Sequence, residues 1–137
     1  MKQFISKFTD EEPEYVTIRN TYYLKNPFLE EIRNKVNRRI DHLSIPLGEG
    51  KKKFKPSLYL LEWLSHRTKE KVYVNKKAEW LYLCGRDLFS DSIEKDTSKE
   101  RLVLVQNNID ENIGYGLKQG KKIKNLLDRG DFLRRER

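Results

Sequence analysis

The side chains in this sequence whose type and spacing could do chemistry are mostly cations. Three groups stand out: Lys51, Lys52, Lys53 and Lys55; Lys118, Lys121, Lys122 and Lys124; and Arg129, Arg134, Arg135 and Arg137. Clustered ammonium and guanidinium groups neutralise phosphates and release their counterions, so they favour a polyanionic partner. Hairpin pairing could align the last two groups on one ridge. Arg86 follows Gly85 where a helix is expected to end, and a fork-shaped donor there can reach a phosphate or a base edge. The run from 51 to 55 also reads as the charged tip of an exposed hairpin. The net charge of +8, from 29 Lys and Arg against 21 Asp and Glu, also reads as plain surface solvation.

Nucleophilic and metal chemistry have little to work with. The histidines His42 and His66 lie far apart, and no CxxC, HExxH or Cys/His cluster is present, so a zinc site has no support. No Ser-His-Asp arrangement has supporting context. Asp128 and Asp131 flank Arg129-Gly130 and read as turn carboxylates that accept backbone amides. Asp87 beside Arg86 reads as an ion pair or loop cap. Gly114-Tyr115-Gly116 lacks the spacing of a dinucleotide motif. The expectation is a protein that is not an enzyme and takes no cofactor or metal. The single cysteine, Cys84, cannot form an internal disulfide and reads as a small buried hydrophobe beside Leu81 and Leu83. No apolar run has the length of a membrane span, so no membrane partner is expected, and the chain reads as cytoplasmic.

The elements that must position these cations follow from periodicity. The central unit is Lys71 to Phe89. Val72 and Val74 share one face of a strand, Asn75 caps a helix, Ala78, Leu81 and Tyr82 recur at helical spacing, and Gly85 stops it. Before this unit, Phe4, Ile5 and Phe8 form a short helical stripe or a docking arm. Tyr15 to Leu24 reads as a hairpin turning at Arg19-Asn20, with Asn20 tolerating a positive φ. Asn26-Pro27 opens an amphipathic helix to about Asp41. Leu43 to Leu47 reads as a strand, with Gly48 and Gly50 in the turn after it. Pro56 opens a helix to about His66 whose apolar residues cover more than one face. After the unit, Phe89 to Glu100 reads as a polar loop anchored by Ile93. Leu102 to Val105 reads as a strand covered on both faces, and Ile113 to Leu117 as a returning strand with glycines where another backbone approaches. Asp128 to Asp131 reads as a sharp turn, with Phe132 and Leu133 in a final strand.

The segment from Val72 to Phe89, then LVLV, IGYGL and the ending DRGDFLRRE, resembles a PUA domain, the small RNA-binding pseudo-barrel named for pseudouridine synthases and archaeosine transglycosylases. More narrowly, residues 54 to 137 are similar to the C-terminal half of an archaeal and eukaryotic ribosome-biogenesis family. In that family a small α/β domain precedes the PUA domain. The resemblance implies an α+β chain, with a small α/β N-terminal domain at residues 1–68 and a PUA-like pseudo-barrel at 69–137. It implies a non-catalytic RNA-binding factor in large-subunit rRNA maturation. The partner is then RNA, as rRNA or a pre-ribosomal particle, with other biogenesis proteins. By position, RNA is expected against the first PUA helix and its following loop, at Lys76, Lys77, Gly85, Arg86 and Asp87. Lys121, Lys122, Lys124, Arg134, Arg135 and Arg137 flank that surface, and Lys51, Lys52, Lys53 and Lys55 form a possible second patch. Leu88 and Phe89 are expected to hold the loop rather than read RNA. The alternative is a protein adaptor, or an accessory subunit for an RNA-modifying enzyme or another biogenesis factor.

Overall fold

The structure is a computed structural model that describes residues 1–25 and 45–135, without the side chains of Phe132, Leu133 and Arg135. The helix expected from Asn26 to Asp41 therefore lies outside the described residues, as do Glu136 and Arg137. The chain divides into two compact units, Met1–Leu60 and Leu61–Arg137.

In the first unit, α1 (Lys2–Ser6) buries Ile5. It is followed by β1 (Tyr15–Ile18), β2 (Thr21–Leu24), β3 (Pro46–Glu49) and β4 (Lys55–Pro56), an antiparallel sheet in that order. Ile5, Phe8, Leu47 and Leu60 are buried here, and half-buried rings pack together: Phe54 lies 5.4 Å from Phe4 and 5.8 Å from Tyr22, centroid to centroid. The turn of the first hairpin puts the positive φ, 58°, on Arg19 rather than on Asn20. Of the strand expected from Leu43 to Leu47, Leu43 and Ser44 lie outside the described residues, and Gly48, expected in the turn after it, lies inside β3. A Cβ on Gly48 would stand 2.3 Å from the Phe54 ring, so glycine here makes room for an aromatic ring. Pro56 ends a strand instead of opening a helix. The helix α2 (Leu58–Ser65) begins in the first unit and continues into the second, to which Glu62 belongs; it is capped by Ser57, whose Oγ accepts from the Leu60 amide at 3.1 Å.

The second unit runs β5 (Lys71–Val74), α3 (Lys76–Leu83), β6 (Leu88–Phe89), a 3-10 turn at Ser90–Ser92, β7 (Ile93–Asp96), β8 (Leu102–Gln106), β9 (Asn112–Gln119), β10 (Lys122–Asp128) and α4 (Arg129–Arg135). Six strands form one sheet in the order β6-β10-β9-β8-β5-β7. Only the β5–β8 pair is parallel. The edge strands β6 and β7 are consecutive in the chain and joined by three residues. Such a strip must curl until its edges nearly meet, which makes a mixed, almost closed pseudo-barrel. Its interior holds Val72, Val74, Ala78, Tyr82, Leu88, Val103, Val105, Ile113 and Ile123. Leu104, pointing the other way from Val103 and Val105, is also fully buried, so β8 is covered on both faces.

Three expectations fail here for physical reasons. Ile93 to Asp96 is a strand, not a loop. It is an edge strand with Glu94, Lys95 and Asp96 exposed, and polar residues on an edge discourage further pairing. The ending is a helix, not a turn and a strand. Asp128 caps it: its Oδ1 accepts from the Asp131 amide at 2.8 Å. Cys84 is exposed, not buried. It lies at the C-cap of α3 on the face away from Ala78 and Tyr82, which are the residues that enter the core.

Tyr82 fastens α3 to the sheet. Its hydroxyl donates to the Tyr115 carbonyl at 2.5 Å and approaches the Leu127 carbonyl at 3.3 Å. Burial raises its pKa well above the ordinary tyrosine value, so it stays a neutral donor. Tyr82→Phe is expected to cost about 1–2 kcal/mol, because a buried carbonyl loses its donor. Urea unfolding checks this, with a lower midpoint and an unchanged slope expected.

Candidate nucleic-acid interface

The edge that gathers free cations is built by α3, its following loop and β10. Asn75 starts α3, its side chain accepting from the Ala78 amide at 2.8 Å. Lys76 and Lys77, both exposed, occupy the first turn. That is the positive end of the helix dipole, where anions are favoured and cations are not. Gly85 then stops the helix with φ +92°. Arg86 follows, exposed, and its guanidinium makes no hydrogen bond or ion pair among the described residues.

Asp87 fixes the loop against β10. Its Oδ1 accepts from the Asn125 amide at 2.9 Å and its Oδ2 lies 3.6 Å from Lys122 Nζ. So the carboxylate is both the loop cap and the ion-pair partner that its position suggested, but the pair is with Lys122 rather than Arg86. Next, β6 pairs with β10, matching Leu88 to Ile123 and Phe89 to Lys122. Leu88 and Ile123 point into the core, so Phe89 and Lys122 must both point outward. Phe89 is 59% exposed. It does not hold the loop; Leu88 does that. The Ser90 amide donates to the Lys121 carbonyl at 3.0 Å, which sets Lys121 at the same edge. Lys124, two residues past Lys122, shares its outward face and is exposed. A shallow groove of about 400 Å³ opens beside this edge, lined by Ala78, Leu81, Arg86 and Phe89 among others. At 100° per residue, Lys77 stands next to the Ala78–Leu81 side of α3, whereas Lys76 falls on the far side.

Other expected cations are already committed. Arg134 is a clamp within the fold: its guanidinium donates to the Leu83 carbonyl at 2.6 Å and to the buried Asp128 carboxylate at 2.9 Å. The bond to Asp128 raises its pKa further. Arg129 donates to Glu62 at 3.0 Å. Lys118 pairs with Asp96 at 2.8 Å. Arg135 has its backbone in α4, and Arg137 lies outside the described residues. Lys51, Lys52 and Lys53 are exposed in the turn between β3 and β4 of the first unit, with half-buried Lys55 opening β4. Sequence alone missed Phe89. No local pattern marked it, because its outward turn follows from the pairing of Leu88 with Ile123 across the sheet.

Two of these pairs carry a pH dependence. Burial alone would raise the Asp96 pKa, but bonds from Lys118 and Ser98 outweigh it and hold the carboxyl below its ordinary value. Asp110 behaves likewise: burial is outweighed by the Gln106 amide and by Lys71, whose Nζ is 3.5 Å away. A depressed carboxyl stabilises the fold while ionised. That stabilisation is complete above the unfolded pKa of about 4 and is lost as pH falls through the folded value. The thermal midpoint is therefore expected to be flat from neutral pH to about 5 and to drop below about 4. Asp96→Asn with Asp110→Asn should lower the neutral plateau and flatten that drop.

Among the described residues no group of three or more His, Cys, Asp or Glu is placed to hold a metal ion. No helix among them is long and apolar enough to cross a membrane.

Comparison with known proteins agrees with the fold. Residues 70–137 match the family of the UPF0113 PUA domain. A UPF0113 protein of Archaeoglobus fulgidus is 29% identical over 110 residues, covering 70% of this chain and 63% of that protein. The chain thus spans 63% of the length of this curated relative. Among solved structures, a conserved PUA domain protein from Thermoplasma acidophilum superposes with a TM-score of 0.59 at 20% identity, covering 98% of this chain and 89% of that one. At that identity the likeness concerns the fold alone.

Proposed function

With its residues 70–137, the chain belongs to the UPF0113 PUA-domain family, and from this premise we propose that it is a non-catalytic RNA-binding factor of ribosome biogenesis, acting in large-subunit rRNA maturation in the cytoplasm. One observation carries the reading. The β6–β10 register puts an exposed phenyl ring, Phe89, directly opposite Lys122, with Arg86, which has no ion-pair partner among the described residues, on the loop before it and Lys121 beside it. Cations there neutralise phosphates, and an aromatic face there stacks an unpaired base. RNA recognition typically joins these two devices at single-stranded loops and ends. Lys77 and Lys124 extend the edge at either end. Lys76, Arg135 and Arg137 are assigned outer contacts with this RNA, and Lys51, Lys52, Lys53 and Lys55 are a second RNA patch, on the N-terminal unit. Arg134 acts by holding α4 and the Gly85 loop in place. The RNA-binding domain in this reading starts at residue 69, after an N-terminal domain of residues 1–68.

The partner is pre-ribosomal RNA, together with other biogenesis proteins. The protein's work is to hold a segment of that RNA, and no side chain in the edge is asked to make or break a bond. Equilibrium binding of the full chain to a structured rRNA fragment, to oligouridylate and to duplex DNA across a salt series tests this. RNA binding that persists at physiological salt supports it. Equal, weak binding to all three that vanishes with salt removes it.

A further inference from the structure

A second groove of the C-terminal unit differs in character from the basic edge. It has a volume of about 1150 Å³, and its walls include Glu62, Glu79, Trp80, Glu111, Asn112 and Arg129. Glu79, Trp80 and Leu83 fall on one side of α3, opposite the side carrying Ala78, Leu81 and Gly85. So α3 separates the two grooves.

Within a chain of net charge +8, this groove is acidic. Three carboxylates line it, and its two cations are used internally: Arg129 by Glu62 and the Asn112 carbonyl, Arg134 by Asp128 and the Leu83 carbonyl. Lys76, one turn earlier on α3, is not part of its wall. Two wall residues also carry acceptors without a hydrogen-bond donor, Glu79 Oε2 and Asn112 Oδ1. Asn112 is only 2% exposed. Its Nδ2 faces three acceptors, the Val105 and Gly114 carbonyls and Gln106 Oε1, so the amide cannot turn over and Oδ1 is an acceptor. An unsatisfied buried acceptor is unfavourable, and a donor arriving from outside would offset that. At the rim stands the Trp80 indole, 66% exposed.

We propose that this groove docks an arginine-bearing segment of a partner protein. A guanidinium meets each feature of the site. It stacks on an indole, carries N–H groups in a fixed fork, has no acceptor of its own and is always charged. Glu79 and Asn112 take its N–H groups, Trp80 takes its face, and Glu111 attracts the neighbouring positive charge, while Glu62 stays with Arg129. The same carboxylates repel phosphates, which keeps RNA out of this groove. The chain then presents RNA on one side of this helix and a basic protein segment on the other.

The test uses the full chain, 15N-labelled and titrated with a synthetic peptide, Gly-Ser-Arg-Gly-Arg-Ser-Gly, and with the same peptide carrying citrulline for arginine. The two indole N–H signals, of Trp63 and Trp80, are the readout. The arginine peptide is expected to move the Trp80 signal and leave Trp63 in place, and the citrulline peptide to move neither. Glu79→Gln with Glu111→Gln should weaken the response about tenfold, and Trp80→Ala, followed through the backbone amide signals of the 15N-labelled chain, should weaken binding by about 2- to 30-fold. Arg86→Ala with Lys122→Ala should leave it unchanged. No shift at millimolar peptide, equal shifts with citrulline, or indifference to the Glu79 and Glu111 changes would overturn the proposal. Loss of oligouridylate binding in Trp80→Ala would overturn it too, by making the groove a base-binding site.

Discussion

Replacing Arg86, Lys121 and Lys122 together by alanine is expected to reduce the salt slope of single-stranded RNA binding by about 2. Each lost phosphate contact on a single strand removes about 0.7 from the slope of log K against log salt. The residues are chosen for their surroundings. Arg86 and Lys121 have no ion-pair partner among the described residues, and Lys122 shares only the 3.6 Å contact with Asp87. None enters the core, so the fold should survive, and a circular dichroism melt can confirm it. Phe89→Ala isolates the other half of the edge. Loss of base stacking costs about 1–3 kcal/mol, or about 5- to 150-fold in affinity. Because the phenyl ring carries no charge, the salt slope should not change. Slope and affinity thus separate the phosphate contacts from the stacking contact. A slope unaltered in the triple variant would remove the cations from the interface.

The second large effect is on the fold. Gly130→Ala is expected to cost about 3 kcal/mol or more, beyond the usual 1–3 kcal/mol of an overpacked site. A Cβ on Gly130 would lie 1.8 Å from the Leu83 carbonyl oxygen, and the clash is with backbone that cannot swing aside. That carbonyl ends α3 and also accepts from Arg134. Moving it disturbs the Gly85 turn and, through it, the Arg86 loop. Denaturation should show a lower midpoint, and RNA binding should weaken in step with the disorder of the loop. A variant as stable as the parent would mean that α4 does not pack against the end of α3 in solution.

Much of the C-terminal unit was legible because single residues there have one job. Asn75 caps, Gly85 stops a helix, and Val72, Val74 and the Val103–Val105 run are buried, as the sequence demands. The closing helix was not legible. Asp128-Arg129-Gly130-Asp131 carries the composition of a turn, and only the close approach of Leu83 shows why a glycine sits inside a helix. The polar strand Ile93–Asp96 hid for a related reason: edge strands need no apolar alternation. Cys84 was misplaced because its neighbours in sequence, Leu81 and Leu83, do not share its exposed position at the helix end.

The candidate site was legible in part. Basic residues at 86 and 121–124 are visible in the sequence, but which cations are free is a matter of tertiary pairing. Lys118, Arg129 and Arg134 have partners up to 67 residues away. The outward turn of Phe89 depends on Leu88 pairing with Ile123 across the sheet, a contact no local pattern announces.

The central claim is that the edge formed by Arg86, Phe89, Lys121 and Lys122 holds RNA. The most direct measurement is the affinity of the full chain for a single-stranded rRNA segment as a function of salt, taken with the triple alanine variant and Phe89→Ala side by side. The account predicts a slope lower by about 2 in the first and an unchanged slope with at least about fivefold weaker binding in the second. Parental slope and affinity in both variants would contradict it.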